Sequence, residues 1–318
     1  MPSPAPGTVV IDITVVARTA AFFLGSVALV AVTKVARDKL AARRGHKLPE
    51  RVVLDDNVAV GVEMAGFFLA MVLGLLGGLV IEGRLWWEQL QDLLVTWVVV
   101  SGVLLANDQI VSRFVLRGLD CNRAVAEQAN LAVAVVRAAA NVATALVLSG
   151  ALHDDADIGM RFVWVLIGQA ALIGLSLGYQ ALTRYDDVAE VRRKNVAAAL
   201  PMAGVLLAVA IVVEASIRGT VFVAANALPD TDFVLPVSIY ERVDRVAQAS
   251  FGADLAALVL ELSVASVLIV ALRWLGDKLL LPGASYHDEI ARDKNAGVGF
   301  IEGATYVAAG IAVAYFLN

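Results

Sequence analysis

Eight long apolar segments dominate this sequence and restrict the fold classes open to it. They cover about 10–35, 58–81, 91–113, 125–149, 161–183, 196–217, 253–275 and 297–317. Each is long enough to cross the ~30 Å hydrocarbon core of a bilayer as a helix. Lipid offers the backbone no hydrogen-bond partners, so such segments must satisfy their own by folding as helices. Since 59% of the residues are hydrophobic, the sequence predicts an all-α integral membrane protein with eight transmembrane helices.

An internal duplication organises these spans. Residues 57–70 (NVAVGVEMAGFFLA) and 195–208 (NVAAALPMAGVLLA) are identical at 8 of 14 positions. We therefore predict two four-helix halves, 1–150 and 151–318, built from repeated two-helix hairpins. The second half has an extra extracytoplasmic segment at about 219–250. Because each hairpin contains an even number of spans, the halves are parallel repeats with pseudo-two-fold symmetry.

The distribution of lysine and arginine predicts the orientation in the membrane. Most basic residues lie in the connections that lead from an odd-numbered to an even-numbered span. The positive-inside rule therefore places these connections in the cytoplasm and both termini outside. The first connection contains Arg43, Arg44 and Lys47. This basic loop could bind anionic lipid or a cytoplasmic protein partner.

A polar stripe runs along the predicted fourth span. Positions 123, 127, 130, 134, 137, 141 and 144 alternate in steps of four and three, which places them on one helix face. Apart from Ala134, the stripe consists of Arg123, Glu127, Asn130, Arg137, Asn141 and Thr144. Further acidic residues within other predicted spans extend this candidate polar pathway: Glu63, Asp108, Glu261 and Glu302. The fifth span carries a weaker companion stripe that begins at Gln169.

Two interpretations of these polar residues stay open. Charges within the membrane must face protein or water, because exposing them to lipid costs at least ~2.5–3.5 kcal/mol on insertion scales. They either pair with each other in a dry packing seam, or line an aqueous route whose acids attract cations. Four asparagines predicted to open the even-numbered spans are interpreted as helix N-caps, with a ring of amides at a pore mouth as the alternative. They are Asn57, Asn122, Asn195 and Asn295.

The pattern Asn-Val-Ala followed by Ala-Gly in a glycine-rich span resembles a bacterial membrane-protein family catalogued as domain of unknown function 350. The matching residues are 57–66, 195–204 and, more loosely, 295–303, whereas the segment around Asn122 (NRAVAEQAN) departs from the pattern. The resemblance implies a multi-pass protein of the bacterial cytoplasmic (inner) membrane. It also implies an association with envelope stress, and it supplies no activity or catalytic pattern.

These observations favour a passive or gated conduit for a small ion or polar solute. The alternative is a non-transporting membrane scaffold or stress-sensing partner subunit. We find no phosphate-binding loop, nucleophile elbow or dinucleotide fingerprint, so we expect no enzyme activity and no cofactor. The single cysteine, Cys121, excludes an internal disulfide, and three dispersed histidines predict no metal site. We expect the lipid bilayer as a partner and a possible homo-oligomer, but no nucleic acid.

Overall fold

The computed structural model describes residues 13–43, 45–46, 48–78, 85–153, 158–218, 220–224, 240–244, 251–279 and 285–317. Within them, 8 helices are long and apolar enough to cross a membrane, which confirms the predicted multi-pass all-α fold. The helices are α1 (Ile13–Arg43), α3 (Val58–Gly77), α4 (Trp86–Ile110), α6 (Leu131–His153), α7 (Ile158–Leu182), α9 (Val196–Arg218), α10 (Phe251–Leu279) and α11 (Ala296–Leu317). The π-helical turn Val111–Val115 continues α4.

Four short helical segments lie in the connections that lead from odd-numbered to even-numbered spans. They are α2 (Leu48–Val53), α5 (Cys121–Ala126), α8 (Asp187–Arg192) and the π-helical turn Asp288–Arg292. Each connects the two long helices of one hairpin, so all four lie at the same end of the bundle. We call this the short-helix end.

The same backbone turn follows each of these segments. The last residue of the turn has a positive φ: 48° at Asp56, 49° at Ala129, 66° at Lys194 and 53° at Lys294. This left-handed conformation is uncommon for residues other than glycine. An asparagine comes next each time, and a long helix begins directly after it. The repeated unit is therefore a two-helix hairpin, present four times.

The second helix of each hairpin forms the centre of the protein. We call α3, α6, α9 and α11 the inner helices, and they pack side by side in that order. The outer helices α4, α7 and α10 each pack against two consecutive inner helices, whereas α1 packs against α3 and α4. Small residues allow close approach between the inner helices. An ideal Cβ at Gly204 of α9 would lie 2.4 Å from the backbone oxygen of Gly303 on α11.

The structure corrects one predicted helix boundary. Other sequence predictions fall wholly or partly outside the described residues. The fourth span begins at Leu131 rather than near 125. In the extra segment at 219–250, strands β1 (Thr220–Ala224) and β2 (Tyr240–Asp244) pair antiparallel, and the rest of the segment lies outside the described residues. Arg44 and Lys47 of the predicted basic loop are also outside them, whereas Arg43 is exposed at the end of α1.

Candidate functional site

The structure divides the predicted stripe of the fourth span into two parts. Helix α5 ends at Ala126, and α6 begins at Leu131. The prediction of one continuous helical face from 123 to 144 is therefore wrong. The helix is broken by the left-handed turn before Asn130, which interrupts the helical hydrogen bonding. The Oδ1 of Asn130 then accepts from the backbone N–H of Val133 at 3.2 Å, as an N-cap does.

The first two stripe residues consequently lie outside the membrane-spanning helix. The Nε of Arg123 donates to the Oε2 of Glu127 at 3.2 Å across one turn at the short-helix end. Their side chains are 64% and 43% exposed. Both residues therefore lie at the short-helix end rather than within the membrane-spanning helix α6, which corrects their predicted position in the fourth span.

The assignment of Asn122 as an N-cap is also wrong. Asn122 lies within α5, and its Oδ1 accepts from the Nη1 of Arg137 at 3.0 Å. The residue equivalent to Asn57 and Asn295 is Asn130, because it follows a short helix and a left-handed residue in the same way. The sequence does not show this equivalence, because the short helix α5 and the left-handed Ala129 lie between Asn122 and Asn130.

The remaining asparagines are placed directly before their helices. Asn57 accepts from the N–H of Val60 at 3.2 Å, and Asn295 accepts from that of Gly297 at 3.1 Å. Asn195 precedes α9, but its Oδ1 has no hydrogen-bond partner among the described residues. Asn57 and Asn195 are buried, whereas Asn295 is exposed.

Buried amide groups also connect successive hairpins. The Nδ2 of Asn57 donates to the carbonyl of Val125 at 3.0 Å, in the short helix of the second hairpin. Asn130 donates in the same way to Val191 of the third hairpin at 2.9 Å. Asn195 donates to Ile290 of the fourth hairpin at 2.8 Å. These amides hold the hairpins together rather than lining an open pore mouth.

A buried group of four charges lies among α1, α3, α4 and α6, and we call it the first ion-pair cluster. The Nη2 of Arg137 lies 3.0 Å from Glu63 Oε1 and also bonds to Asp108. The Nη2 of Arg37 donates to the same Glu63 oxygen at 2.5 Å. Two arginines thus balance two carboxylates. Sequence reasoning missed Arg37 because it ended the first span near residue 35, whereas α1 continues to Arg43.

Polar groups continue from this cluster along α6. Asn107 donates to the Oδ1 of Asn141 at 2.9 Å, and Thr144 is buried one turn further on. A cavity of about 50 Å³ lies against the first ion-pair cluster, and a second of about 10 Å³ is lined in part by Asn107, Thr144 and Gln169. Three buried donors here have no partner among the described residues: the Nε of Arg137, the Nδ2 of Asn141 and the Nε2 of Gln169.

A second buried ion pair lies in the fourth hairpin. Arg273 of α10 lies 2.8 Å from Glu302 of α11, and the hydroxyl of Tyr306 also donates to this carboxylate. Glu261, the remaining predicted acid, is buried and accepts from the hydroxyl of Ser216 on α9. The predicted intramembrane acids therefore do not form one continuous pathway: Glu63 and Asp108 meet in the first cluster, while Glu261 and Glu302 lie in the other half.

The two ion pairs occupy equivalent positions with opposite charges. Asp108 lies 22 residues before Asn130 and Arg137 lies 7 residues after it. Arg273 and Glu302 have the same two spacings from Asn295. Sequence reasoning missed Arg273, although the common spacing of 29 residues between the partners would have identified it once Asn130 was aligned correctly.

One titratable residue outside the spans lies close to this second pair. Asp187 is the first residue of α8 and is 1% exposed. Burial raises the pKa of its carboxyl to about 7, although a hydrogen bond from the Thr183 hydroxyl and the charge of Arg273 act in the opposite direction. Between about pH 4 and about pH 7, the folded protein therefore holds a proton at Asp187 that the unfolded chain, with an ordinary pKa near ~3.9, releases.

We expect Asp187→Asn to stabilise the protein at pH 8 but not at pH 4. A raised carboxyl pKa stabilises the folded state at low pH, and that contribution is lost as the pH rises from about 4 to about 7. At ~1.4 kcal/mol per pKa unit, the gain at pH 8 is up to about 4 kcal/mol. Thermal unfolding in detergent at both pH values measures it. Asp186→Asn, at the exposed N-cap of α8, is the control, and an equal gain there would contradict the prediction.

Each half of the chain resembles a known protein family. The family described as Domain of Unknown Function (DUF350) matches twice, over residues 11–152 and 156–317. Neither a curated protein nor a solved structure matches the chain. Each match covers two hairpins, in agreement with the charged inner helices α6 and α11 at equivalent places in the two halves. The chain belongs to the DUF350 family and contains two copies of its unit.

Proposed function

We propose that the protein is a gated passage for a small ion or polar solute, closed in this conformation. The observation that carries the proposal is the line of unpaired buried donors at Arg137, Asn141 and Gln169. A dry packing seam would satisfy such groups, because a buried polar group without a hydrogen bond costs about 1–3 kcal/mol. Arg137 and Gln169 each line a small cavity, and unpaired donors in such places favour contact with water or with a passing solute.

The first ion-pair cluster has the properties of a closed gate. Its side chains come from four helices, so small helix movements would separate them. The side chain of Asp108 is 21% exposed, whereas those of Glu63 and Arg137 are both 2% exposed. The cluster thus extends from an accessible carboxylate to a fully enclosed one. Because its formal charges cancel, a single charge change should shift the balance between closed and open forms.

The unpaired donors also indicate which kind of solute the passage would favour. The sequence alone favoured cations, attracted by the membrane acids. The two carboxylates of the cluster are paired with Arg37 and Arg137, and the groups left unpaired are N–H donors. Donors favour solutes that offer acceptor atoms, such as small anions or water-like neutral molecules. We place the passage in the bacterial inner membrane, with the short-helix end in the cytoplasm.

Glu63→Gln is expected to raise solute flux through proteoliposomes about tenfold. The amide keeps the size of the side chain but removes the charge shared by Arg37 and Arg137. A loss of ~1.4 kcal/mol from the closed form corresponds to a tenfold change in the open fraction. The measurement is the uptake of small anions, cations and neutral solutes by vesicles that contain equal amounts of folded protein.

The matched control is Glu127→Gln, the same exchange at a carboxylate exposed at the short-helix end. It should leave flux unchanged, although the sequence alone included Glu127 in the candidate polar pathway. If folded Glu63→Gln protein transports every tested solute at the original rate, the proposal of a gated passage is wrong. That result would favour the scaffold alternative, in which exposed basic residues such as Arg43 contact anionic lipid or a partner.

A further inference from the structure

One helix interface occurs three times in this chain. It joins α3 to α6, α6 to α9, and α9 to α11, with the same offset between the paired positions each time. Residues can be numbered from the asparagine before each inner helix. Position 9 of one helix then meets position 8 of the next: Gly66 lies against Ala138, and Gly204 against Gly303. Each inner helix thus has an outgoing face, toward the next hairpin, and an incoming face, toward the previous one.

The outgoing face of the last inner helix, α11, has no counterpart in the part of the chain that the structure describes. Positions 9 and 13 are small and buried in the first three inner helices, as at Gly66, Ala70 and Ala208. The equivalent residues of α11 are Ala304 and Ala308, which are equally small but exposed. The fourth hairpin therefore keeps the composition of an outgoing face that no other element among the described residues covers.

The incoming face of the first inner helix shows the complementary situation. Position 8 is partly or fully buried at Ala138, Ala203 and Gly303, but exposed at Ala65 of α3. Position 15 is buried at Ala145 and exposed in α3, where it is Val72. Among the described residues, the row of inner helices thus has an unfilled incoming face at α3 and an unfilled outgoing face at α11, in matching register.

The amide contacts between successive hairpins also end at the fourth hairpin. The Nδ2 groups of Asn57, Asn130 and Asn195 each donate to a carbonyl in the next hairpin. Asn295 is exposed, and its Nδ2 donates to Glu289 of its own hairpin. The equivalent acceptor region at the other end of the row is the end of α2, where Val53 is 74% exposed.

The first outer helix, α1, is also less buried than the other outer helices. In an apolar 18-residue stretch of α1, 6% of the residues are buried. The buried share of the corresponding stretches of α4, α7 and α10 is 17–33%. Those three helices bridge two inner helices, whereas α1 has α3 alone among them. A groove of about 290 Å³ separates α1 from α3, and it is lined in part by Phe22, Val72 and Leu76. It lies on the unfilled incoming face.

We propose that two copies of this chain associate head to tail, with α11 of one copy packed against α3 of the other. The contact would repeat the interface that already occurs three times within each copy, with Ala304 beside the neighbour's Ala65 and with α1 bridging both helices. Such heterologous contacts close into a ring or extend into a row, depending on the rotation between copies. The proposal does not depend on the proposed passage.

Disulfide cross-linking in native membranes tests the contact. In a Cys121→Ala background, Ala65→Cys is combined with Ala304→Cys and oxidised. We expect most of the protein to migrate as a dimer or larger species that reductant returns to monomer. When the two substitutions are placed on separate copies with different tags, the cross-linked product should contain both tags. The control combines Ala304→Cys with Leu76→Cys, which lies about 16 Å further along α3 at 1.5 Å per residue and should stay monomeric.

An internal pair provides the positive control. Ala139→Cys with Ala203→Cys occupies the same register between α6 and α9, and its closure protects both thiols from alkylation after denaturation. If this pair closes while the Ala65→Cys and Ala304→Cys protein remains monomeric, lipid covers both faces and the proposal is wrong. Dimers of the Ala65→Cys single variant would also overturn it, because they require a symmetric rather than a head-to-tail contact.

Discussion

Replacing Arg137 with leucine is expected to lower the free energy of unfolding by about 3–5 kcal/mol, the range measured when one partner of a buried ion pair is removed. The Arg137 side chain is 2% exposed and lies between the carboxylates of Glu63 and Asp108. Leucine would leave two acids with Arg37 as their remaining cation in the cluster. It would also remove the donor to Asn122 that connects α6 to α5.

Chemical or thermal unfolding of the purified protein in detergent measures this loss. The control is Arg123→Leu, which removes an arginine whose side chain is 64% exposed and pairs with Glu127 one turn away. Exposed ion pairs of this kind contribute about 0–1 kcal/mol, so the control should remain close to the original stability. Equal stabilities for the two leucine variants would mean that the buried cluster does not hold α3, α4 and α6 together.

Replacing Gly204 with valine is expected to destabilise the protein by about 3 kcal/mol or more, at or above the upper end of ordinary overpacking. A Cβ at this position would lie 2.4 Å from the backbone oxygen of Gly303 and 2.6 Å from its Cα. The obstacle is backbone rather than a movable side chain, so α9 and α11 would have to separate. Their separation would weaken the tight packing along the whole inner row.

The yield of folded protein and its unfolding midpoint report this effect. The matched control is Gly102→Val on α4, where an added Cβ would have no atom within 4 Å apart from the adjoining backbone of its own helix. Both variants exchange glycine for the same β-branched residue within a transmembrane helix, so they differ mainly in the contact. A Gly204→Val protein as stable as the control would contradict the close α9–α11 packing.

The sequence predicted the spans and the repeat because each depends on local information. An apolar run of about 20 residues must form a helix in lipid, whatever its neighbours are. The match between 57–70 and 195–208 reports duplication directly. The prediction of one continuous polar stripe was wrong because periodicity cannot detect this helix break. The break is caused by a left-handed residue that is not glycine. Ala129 has a φ of 49°, and nothing in its identity indicates that conformation.

The partners of the buried charges required the tertiary structure. The sequence identified Glu63, Asp108 and Arg137 as candidates, but their contacts join residues up to 74 positions apart on different helices, and α1 adds Arg37 from beyond its predicted end.

The eight membrane-spanning segments and their repeated hairpins follow from the sequence, because hydrophobicity and helix length act within each segment. The three-dimensional packing was needed to show which helices form the inner row, which charges meet, and that two faces of the row are unfilled among the described residues. Those outcomes depend on the register between helices. That register is set by close contacts such as Gly66 with Ala138 and by amide bonds such as Asn57 to Val125, between residues distant in the chain.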